Sequence, residues 1–131
     1  MSQENVEIVR DLIDAINRRD WDAVLEHLTP DFKYDASRSI GTRRGVYERG
    51  EMRQMLDDFF GAWESFRYEA NEFIEVGEHM VMPYTTYVRG RDRIEVQASA
   101  THVFTIRDGA IAHICLYQSK EGALEAVGLS E

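Results

Sequence analysis

Hydrophobic residues near the start of the chain recur at intervals of three and four positions, which predicts helix. The first run lies on one face of a helix over residues 4–18, with Ser2 as its predicted N-cap, and comprises Val6, Val9, Leu12, Ile13 and Ile16. A second, shorter run follows Asp20 and ends before Pro30, which cannot continue a helix. The chain is therefore predicted to open as a helical hairpin.

Beyond Pro30 the pattern is mostly that of strands. The predicted elements are a strand over 32–35, a loop over 36–47, a helix over 48–63, and strands over 65–76, 79–89, 93–107 and 110–118. Asp108-Gly109, flanked by β-prone residues on both sides, predicts a tight hairpin turn before the last strand. Ser119 is the predicted N-cap of a final short helix that ends near Gly128.

Helices grouped ahead of a run of antiparallel strands indicate an α+β fold with a helical layer on one face of a sheet. We expect this antiparallel sheet to curve into a cone around the N-terminal helices. A cone closed on one side by helices leaves an apolar pocket, which is a natural site for a small molecule.

Size and charge narrow the class of protein. The 131 residues suit one domain, here taken as residues 1–131. The net charge of −9 argues against nucleic acid and anionic membranes as partners, and no apolar run approaches the ~20 residues of a membrane span. The polar, acidic N-terminus does not resemble a signal peptide, and the single cysteine, Cys115, allows no internal disulfide. We therefore expect a cytoplasmic protein.

His102 is the leading candidate for a catalytic residue. Alternate residues of a strand share a face, and the face that carries His102 is otherwise apolar: Val96, Ala98, Ala100, Phe104 and Ile106. This face is predicted to turn into the cone. A neutral imidazole there suits general acid or base chemistry, although an inert, hydrogen-bonded histidine would leave the same pattern.

Asp35, at the end of the first strand, is the second catalytic candidate. A carboxylate beside an apolar pocket would have its pKa raised by desolvation and could accept a proton. Together with His102 it would form an acid–base pair in one pocket. The alternative is a surface aspartate that begins the loop, because strict alternation after Phe32 and Tyr34 would turn Asp35 away from the core.

Five further side chains are predicted to contact a substrate: Tyr84, Trp63, Tyr34, Phe104 and Phe59. The Tyr84 hydroxyl could donate a hydrogen bond to a carbonyl group, or could simply lie at the rim of the pocket. The other four would line the cavity or fill it as ordinary core residues.

Several other patterns bear on partners. The arginines of the loop and of the hairpin at Gly90 could form a basic lip, or pair with nearby acids at the surface. The four histidines lack metal-ligand spacing, and no phosphate-binding loop is present, so neither a metal nor another cofactor is expected. The outer sheet face, with Tyr87, His113 and Tyr117, is semi-apolar and predicts a homodimer built sheet against sheet.

The chain also resembles a known family over nearly its whole length. The resemblance rests on residues 15–22, on Leu28-Thr29-Pro30-Asp31-Phe32, on the loop that ends at Gly45 with Glu51-Met52-Arg53 after it, on residues 100–109 and on residues 123–129. These segments resemble the SnoaL-like, ketosteroid-isomerase-like branch of the NTF2-like superfamily. The resemblance implies the cone fold and a dimer, but not one activity, because the superfamily includes isomerases, cyclases, dehydratases, epoxide hydrolases and non-catalytic adaptors.

Residue by residue, the resemblance argues against ketosteroid isomerase itself. That enzyme's tyrosine position falls near Leu12 and its oxyanion-donor carboxyl position falls at His102, so both residue types differ. Its base position falls near Asp35 or Ala36, so Asp35 matches it only with a shift of one residue. The first hypothesis is therefore a cofactor-free isomerase, cyclase or hydratase acting on a small apolar carbonyl compound. The alternative is a non-catalytic module that binds a small ligand or acts as a dimeric scaffold.

Overall fold

A computed structural model describes residues 2–39 and 45–128. Its helices are α1 (Ser2–Asn17), α2 (Trp21–Glu26), α3 (Arg49–Gly61) and α4 (Lys120–Ala126). Its strands are β1 (Leu28–Asp35), β2 (Val46–Glu48), β3 (Ser65–Ala70), β4 (Ile74–Val76), β5 (His79–Arg89), β6 (Glu95–Arg107) and β7 (Ala110–Tyr117). The predicted cap at the Ser2 side chain, the predicted loop residues Arg43 and Arg44, and the family segment's last residue, Leu129, lie outside what the structure describes.

The strands form one curved, unclosed sheet in the order β2-β1-β7-β6-β5-β3, and β4 also pairs with β5. The predicted α+β cone is thus confirmed. One pairing differs from the prediction: β1 runs parallel to β7, so the sheet is mixed rather than wholly antiparallel. Such a pairing is possible because most of the chain separates the two strands and supplies the crossover that parallel neighbours need.

The strand boundaries differ most in three places. The predicted strand over 65–76 is two strands, β3 and β4, separated at Asn71, whose side chain donates to Thr85 Oγ1 at 3.0 Å. The short strand β2 occupies the end of the predicted loop. Strand β1 begins at Leu28 and contains Pro30, which is tolerated because the β1–β7 register is interrupted between Leu28 and Lys33.

The hairpin predicted at Asp108-Gly109 is confirmed. Both residues have positive φ, 53° for Asp108 and 80° for Gly109, and Arg107 pairs with Ala110 across the turn. Two successive left-handed residues match the twist of the flanking strands. The turn thereby sets the register that carries the inner-face residues of β6 and β7.

The main core lies between helices α1–α3 and the inner face of the sheet. Its most completely buried side chains include Leu12, Phe32, Met80, Met82 and Phe104. The inward-facing part of β6 begins later along the chain than predicted, since residues 95–99 are exposed and neither Val96 nor Ala98 reaches the core. Among the described residues, none of the helices has the length and apolar character needed to cross a bilayer.

The outer face of the sheet is partly covered by α4. Ala123 of this helix is fully buried against Val81 and Val103, with Leu124, Val127 and Tyr117 packed around them. Ser119 caps the helix as predicted, because its side chain accepts a hydrogen bond from the Gly122 N–H. The free part of the outer face is therefore smaller than the sequence indicates.

The end of α1 is joined to the edge strand β3 by a side chain. The Asn17 amide donates to the Tyr68 carbonyl oxygen at 3.0 Å, and its Oδ1 accepts from the Tyr68 N–H at 2.9 Å. One amide thus occupies both backbone groups that Tyr68 turns away from the sheet. This contact fixes the helix against the wall of the cavity described next.

Candidate ligand site

A cavity of about 250 Å³ lies between α1, α3 and the inner face of the sheet. Most of its lining is apolar, for example Leu12, Leu56 and Phe104. Its polar lining consists of Tyr34, Tyr47, Tyr68, Tyr84, His102, Ser39 and Thr86. Within the described parts of the chain, no aspartate, glutamate, lysine or arginine side chain lines it. The site is therefore an uncharged pocket, slightly smaller than the roughly 300–1,000 Å³ usual for small-molecule sites.

His102 lies in the wall of this cavity and is hydrogen-bonded through both ring nitrogens. The Tyr68 hydroxyl lies 2.6 Å from Nδ1, and the Tyr34 hydroxyl lies 3.2 Å from Nε2. Strand alternation explains the arrangement, because Phe104, His102's neighbour two residues on, also faces inward. The sequence-based placement of His102 inside the cone thus agrees with the structure.

Burial controls the charge of these groups. Desolvation lowers the pKa of His102 from 6.5 to about 3, so the imidazole is neutral at physiological pH. Desolvation, with the neighbouring phenols as lesser causes, also raises the pKa of Tyr34 and of Tyr68. Desolvation alone raises the pKa of Tyr84. All four groups therefore stay uncharged, and they can act as hydrogen-bond partners rather than as ions.

Aromatic rings surround the imidazole. Tyr84 stacks on His102, while the rings of Tyr34, Tyr68 and Phe104 meet it edge-on. Tyr47 in turn stacks on Tyr34, with ring centroids 6.3 Å apart. These rings hold His102 in one orientation and give the pocket flat walls, which suit a planar ligand.

Of the five residues predicted to contact a substrate, Tyr34, Phe59, Tyr84 and Phe104 line the cavity. Trp63 does not. It lies beyond the end of α3, where it packs edge-on against Phe59 with ring centroids 6.5 Å apart. The helix ends two residues before Trp63, so the helical spacing that aligned it with Phe59 no longer applies.

Asp35 does not meet His102. It follows Tyr34 on β1 and pairs with Cys115, so it faces the outer side of the sheet while Tyr34 faces the cavity. Its carboxylate accepts hydrogen bonds from the Ser37 N–H at 3.0 Å and hydroxyl at 2.6 Å. These bonds lower its pKa, whereas a pocket carboxylate would have a raised one. The acid–base pair expected from the sequence is therefore not assembled.

Tyr68 is the site residue that the sequence analysis missed. It lies on β3, and the alternation of Phe66 and Tyr68 along that strand was the signal that both face inward. Tyr68 on β3 meets His102 on β6 only because both strands pair with β5, which lies between them. Tertiary pairing of this kind has no local signature in the sequence.

The described arginines mostly pair with acids or carbonyl groups. Arg53 contacts Asp22, Arg49 donates to the Leu25 carbonyl oxygen, and Arg89 lies near Glu64 and Glu95. These contacts favour ordinary surface pairing over a basic lip. In the described segments, no three histidine, cysteine or acidic side chains group as metal ligands would.

Solved structures show the same fold at low sequence identity. TerC, co-crystallised with polyporic acid, is 19% identical with a TM-score of 0.77, covering 95% of this chain and 98% of that one. An NTF2-like protein of unknown function from Burkholderia pseudomallei is 22% identical with a TM-score of 0.76, covering 95% and 98%. A putative polyketide cyclase from Xanthomonas campestris pv. campestris is 18% identical with a TM-score of 0.71, covering 96% and 98%.

No curated protein matches the chain. The family model of the SnoaL-like domain, in contrast, matches residues 9–114, which include every strand that lines the cavity except the last three residues of β7. With the cone fold and its inner cavity, this match shows that the chain belongs to the SnoaL-like family of NTF2-like proteins.

Proposed function

We propose that this protein is a cofactor-free enzyme of the isomerase, cyclase or hydratase type that acts on a small apolar carbonyl compound. The observation that supports this best is the hydrogen-bonded group Tyr34–His102–Tyr68 in the wall of an uncharged, mostly apolar cavity. Hydrogen-bond donors fixed in a desolvated pocket stabilise charge that develops on a substrate oxygen. This is the main requirement for forming an enol or enolate.

The ligand class follows from the lining. Flat aromatic walls and apolar side chains favour a planar, neutral molecule, and the volume of about 250 Å³ limits it to one or two rings. The absence of charged side chains among the described lining residues disfavours a carboxylate or an amine. A carbonyl oxygen is the polar group that would complete the hydrogen bonding of a tyrosine hydroxyl.

The roles differ from those expected of an acid–base pair. With a pKa of about 3, His102 is a poor proton acceptor at pH 7 and acts as a neutral hydrogen-bonding group. Tyr34 is the group that polarises the carbonyl oxygen. The described lining holds no carboxylate, so hydroxide or a buffer base from the solvent takes the proton from the α-carbon, and Tyr34 stabilises the negative charge that collects on the oxygen.

The related structures support a small-molecule ligand. TerC was co-crystallised with polyporic acid, and another structure of this fold is a putative polyketide cyclase. At 18–19% identity these likenesses concern the fold, and the chemistry is proposed from the cavity itself.

A second candidate is a non-catalytic module that binds the same class of molecule. It is favoured by the absence of a carboxylate base among the described lining residues and by the low basicity of His102. Both candidates require the ketone to bind, and they differ only in whether proton transfer is accelerated.

The test uses 1-indanone, a neutral planar ketone, with indane as the matched hydrocarbon that lacks the oxygen. Binding is followed by chemical-shift changes, and exchange of the α-protons in D2O is followed by ¹H NMR. We expect tighter binding of the ketone and exchange at least about 100-fold faster than in the same buffer, because one fixed hydrogen-bond donor to a developing oxyanion contributes about 100- to 1,000-fold to a rate. Tyr34→Phe should lose the acceleration, while Tyr87→Phe, on the outer face, should retain it.

The outcomes separate the two candidates. Binding of 1-indanone without faster exchange would leave the non-catalytic module. Equal affinity for indane and 1-indanone would contradict both, because the polar group of the site would then contribute nothing to binding.

We also propose that two copies associate through the part of the outer sheet face that α4 leaves free, which includes Tyr87 and His113, both half-buried. Sedimentation showing a monomer at micromolar concentration would reject this association.

We also propose a cytoplasmic location, because the thiol of Cys115 is buried and free, and free thiols are typical of reducing compartments.

A further inference from the structure

We infer that Tyr68 is a positioning residue: its hydroxyl fixes His102 as the Nε2–H tautomer, so that Tyr34 directs its own hydrogen into the cavity. The inference rests on the proposed function and deepens it, since it specifies what the ligand must offer. A ligand in this site must present a hydrogen-bond acceptor, such as a carbonyl oxygen, to Tyr34.

The first step concerns the direction of the Tyr68–His102 bond. Tyr68 is buried, and in the described parts of the chain its hydroxyl hydrogen-bonds to one side-chain atom, His102 Nδ1, at 2.6 Å. This distance is typical of a bond that a hydroxyl donates, and it is shorter than the roughly 2.7–3.2 Å of a bond that an N–H donates to oxygen. Tyr68 therefore donates and Nδ1 accepts.

The second step follows from the charge of the imidazole. His102 is neutral at physiological pH because burial lowers its pKa to about 3, so the ring carries one hydrogen. With Nδ1 as acceptor, that hydrogen is on Nε2. Nε2 then donates to the Tyr34 hydroxyl oxygen, 3.2 Å away.

The third step places the Tyr34 hydrogen. The hydroxyl oxygen of Tyr34 accepts from Nε2, and its own hydrogen is left to bond elsewhere. Among the described residues His102 is the one side chain hydrogen-bonded to Tyr34, and Tyr34 lines the cavity. The Tyr34 hydroxyl hydrogen is therefore available to be donated to a ligand in the cavity.

The opposite tautomer would reverse the specificity of the site. Tyr34 would then donate to a bare Nε2 and present only lone pairs to the cavity, which suits a ligand that donates a hydrogen bond. One proton position on His102 thus decides between acceptor and donor ligands, and Tyr68 controls it.

The surroundings hold Tyr68 in place for this role. Asn17 binds both its N–H and its carbonyl oxygen, and its ring meets Tyr84 edge-on with centroids 5.0 Å apart. The phenol therefore has little freedom to turn away from Nδ1.

The tautomer is tested directly, without a ligand, by ¹⁵N NMR of the histidine side chains at pH 7. In the wild type we expect His102 to show a protonated Nε2 and an unprotonated Nδ1. Tyr68→Phe should shift the ring to the Nδ1–H form or to a mixture, whereas Tyr87→Phe, a matched loss of a hydroxyl outside the cavity, should not. An Nδ1–H form in the wild type, or an unchanged tautomer in Tyr68→Phe, would overturn the inference.

A second measurement reads the consequence for a ligand. The carbonyl stretch of bound 1-indanone should lie at lower frequency in the wild type than in Tyr34→Phe, and Tyr68→Phe should move it toward the Tyr34→Phe value. A stretch unaffected by Tyr68→Phe would contradict the inference. If 1-indanone fails to bind, the proposed function fails, while the NMR measurement still decides the tautomer.

Discussion

The ring of Tyr84 lies 4.3 Å from the ring of His102, centroid to centroid, with an angle of 21° between their planes. The two residues are on neighbouring strands, where Tyr84 pairs with Ala100 and His102 pairs with Met82, so they are diagonal neighbours. The stacked phenol covers one face of the imidazole. It therefore contributes to the desolvation that keeps His102 neutral.

This stacking predicts a difference between two substitutions of Tyr84. Tyr84→Ala removes a large ring beside the cavity and should lower the free energy of unfolding by about 3 kcal/mol. Tyr84→Phe keeps the ring and should cost less than about 1 kcal/mol, since the hydroxyl makes no hydrogen bond to His102. Urea denaturation measures both. Equal losses would show that the hydroxyl, and not the ring, stabilises the fold.

Stability should also depend on pH through His102. Its pKa is lower in the folded state, about 3, than the ordinary 6.5, so between these values the unfolded chain binds more protons. The free energy of unfolding therefore falls as pH drops below 6.5, by at most about 1.4 kcal/mol per pH unit from this residue.

The measurement compares urea denaturation of wild type and His102→Gln from pH 7 to pH 4. The stability of the wild type relative to the variant should shrink as pH falls. Partial burial also lowers the pKa of His113, which acts in the same direction, so His113→Gln is the control and should remove a smaller part of the slope. Parallel curves for wild type and His102→Gln would contradict a buried, neutral His102.

Asp35→Asn should leave the cavity's behaviour nearly unchanged. The carboxylate binds Ser37 on the outer side of the sheet, so affinity for 1-indanone should stay within about twofold of wild type. Tyr34→Phe should weaken it about fivefold, since one neutral hydrogen bond contributes about 1 kcal/mol. Titrations followed by NMR compare the two. A large loss of affinity for 1-indanone in Asp35→Asn would show that the carboxylate takes part in ligand binding.

The packing of α4 on the outer face is tested by replacing each of two alanines of this helix with leucine. Ala123 is fully buried against Val81 and Val103, so Ala123→Leu should overpack the contact and cost about 1–3 kcal/mol. Ala126, exposed on the same helix, is the matched control, and Ala126→Leu should change stability by less than about 0.5 kcal/mol. Thermal or urea unfolding that shows equal effects would argue against the docked position of α4.

The parts of the fold that could be predicted are those with local signals. Asp108-Gly109 specifies its own turn, and period-two alternation places His102 inside the cone. The same alternation turns Asp35 outward, so the prediction of an Asp35–His102 pair conflicted with a rule that the strand obeys.

What could not be predicted depends on contacts between distant segments. The parallel pairing of β1 with β7, and the meeting of Tyr68 with His102 across β5, arise only when the sheet is assembled. Trp63 shows a different limit. Helix α3 ends two residues earlier than predicted, and this changes the direction in which the Trp63 side chain points.

The double hydrogen bond from Asn17 to Tyr68 has a consequence beyond the cavity. Strand β3 is at the margin of the sheet, where unpaired backbone groups invite strand addition from another molecule and hence aggregation. Asn17 already occupies the outward N–H and carbonyl of Tyr68, in the middle of that strand. A foreign strand would have to displace it, so the amide protects the exposed margin of the sheet from unwanted self-assembly.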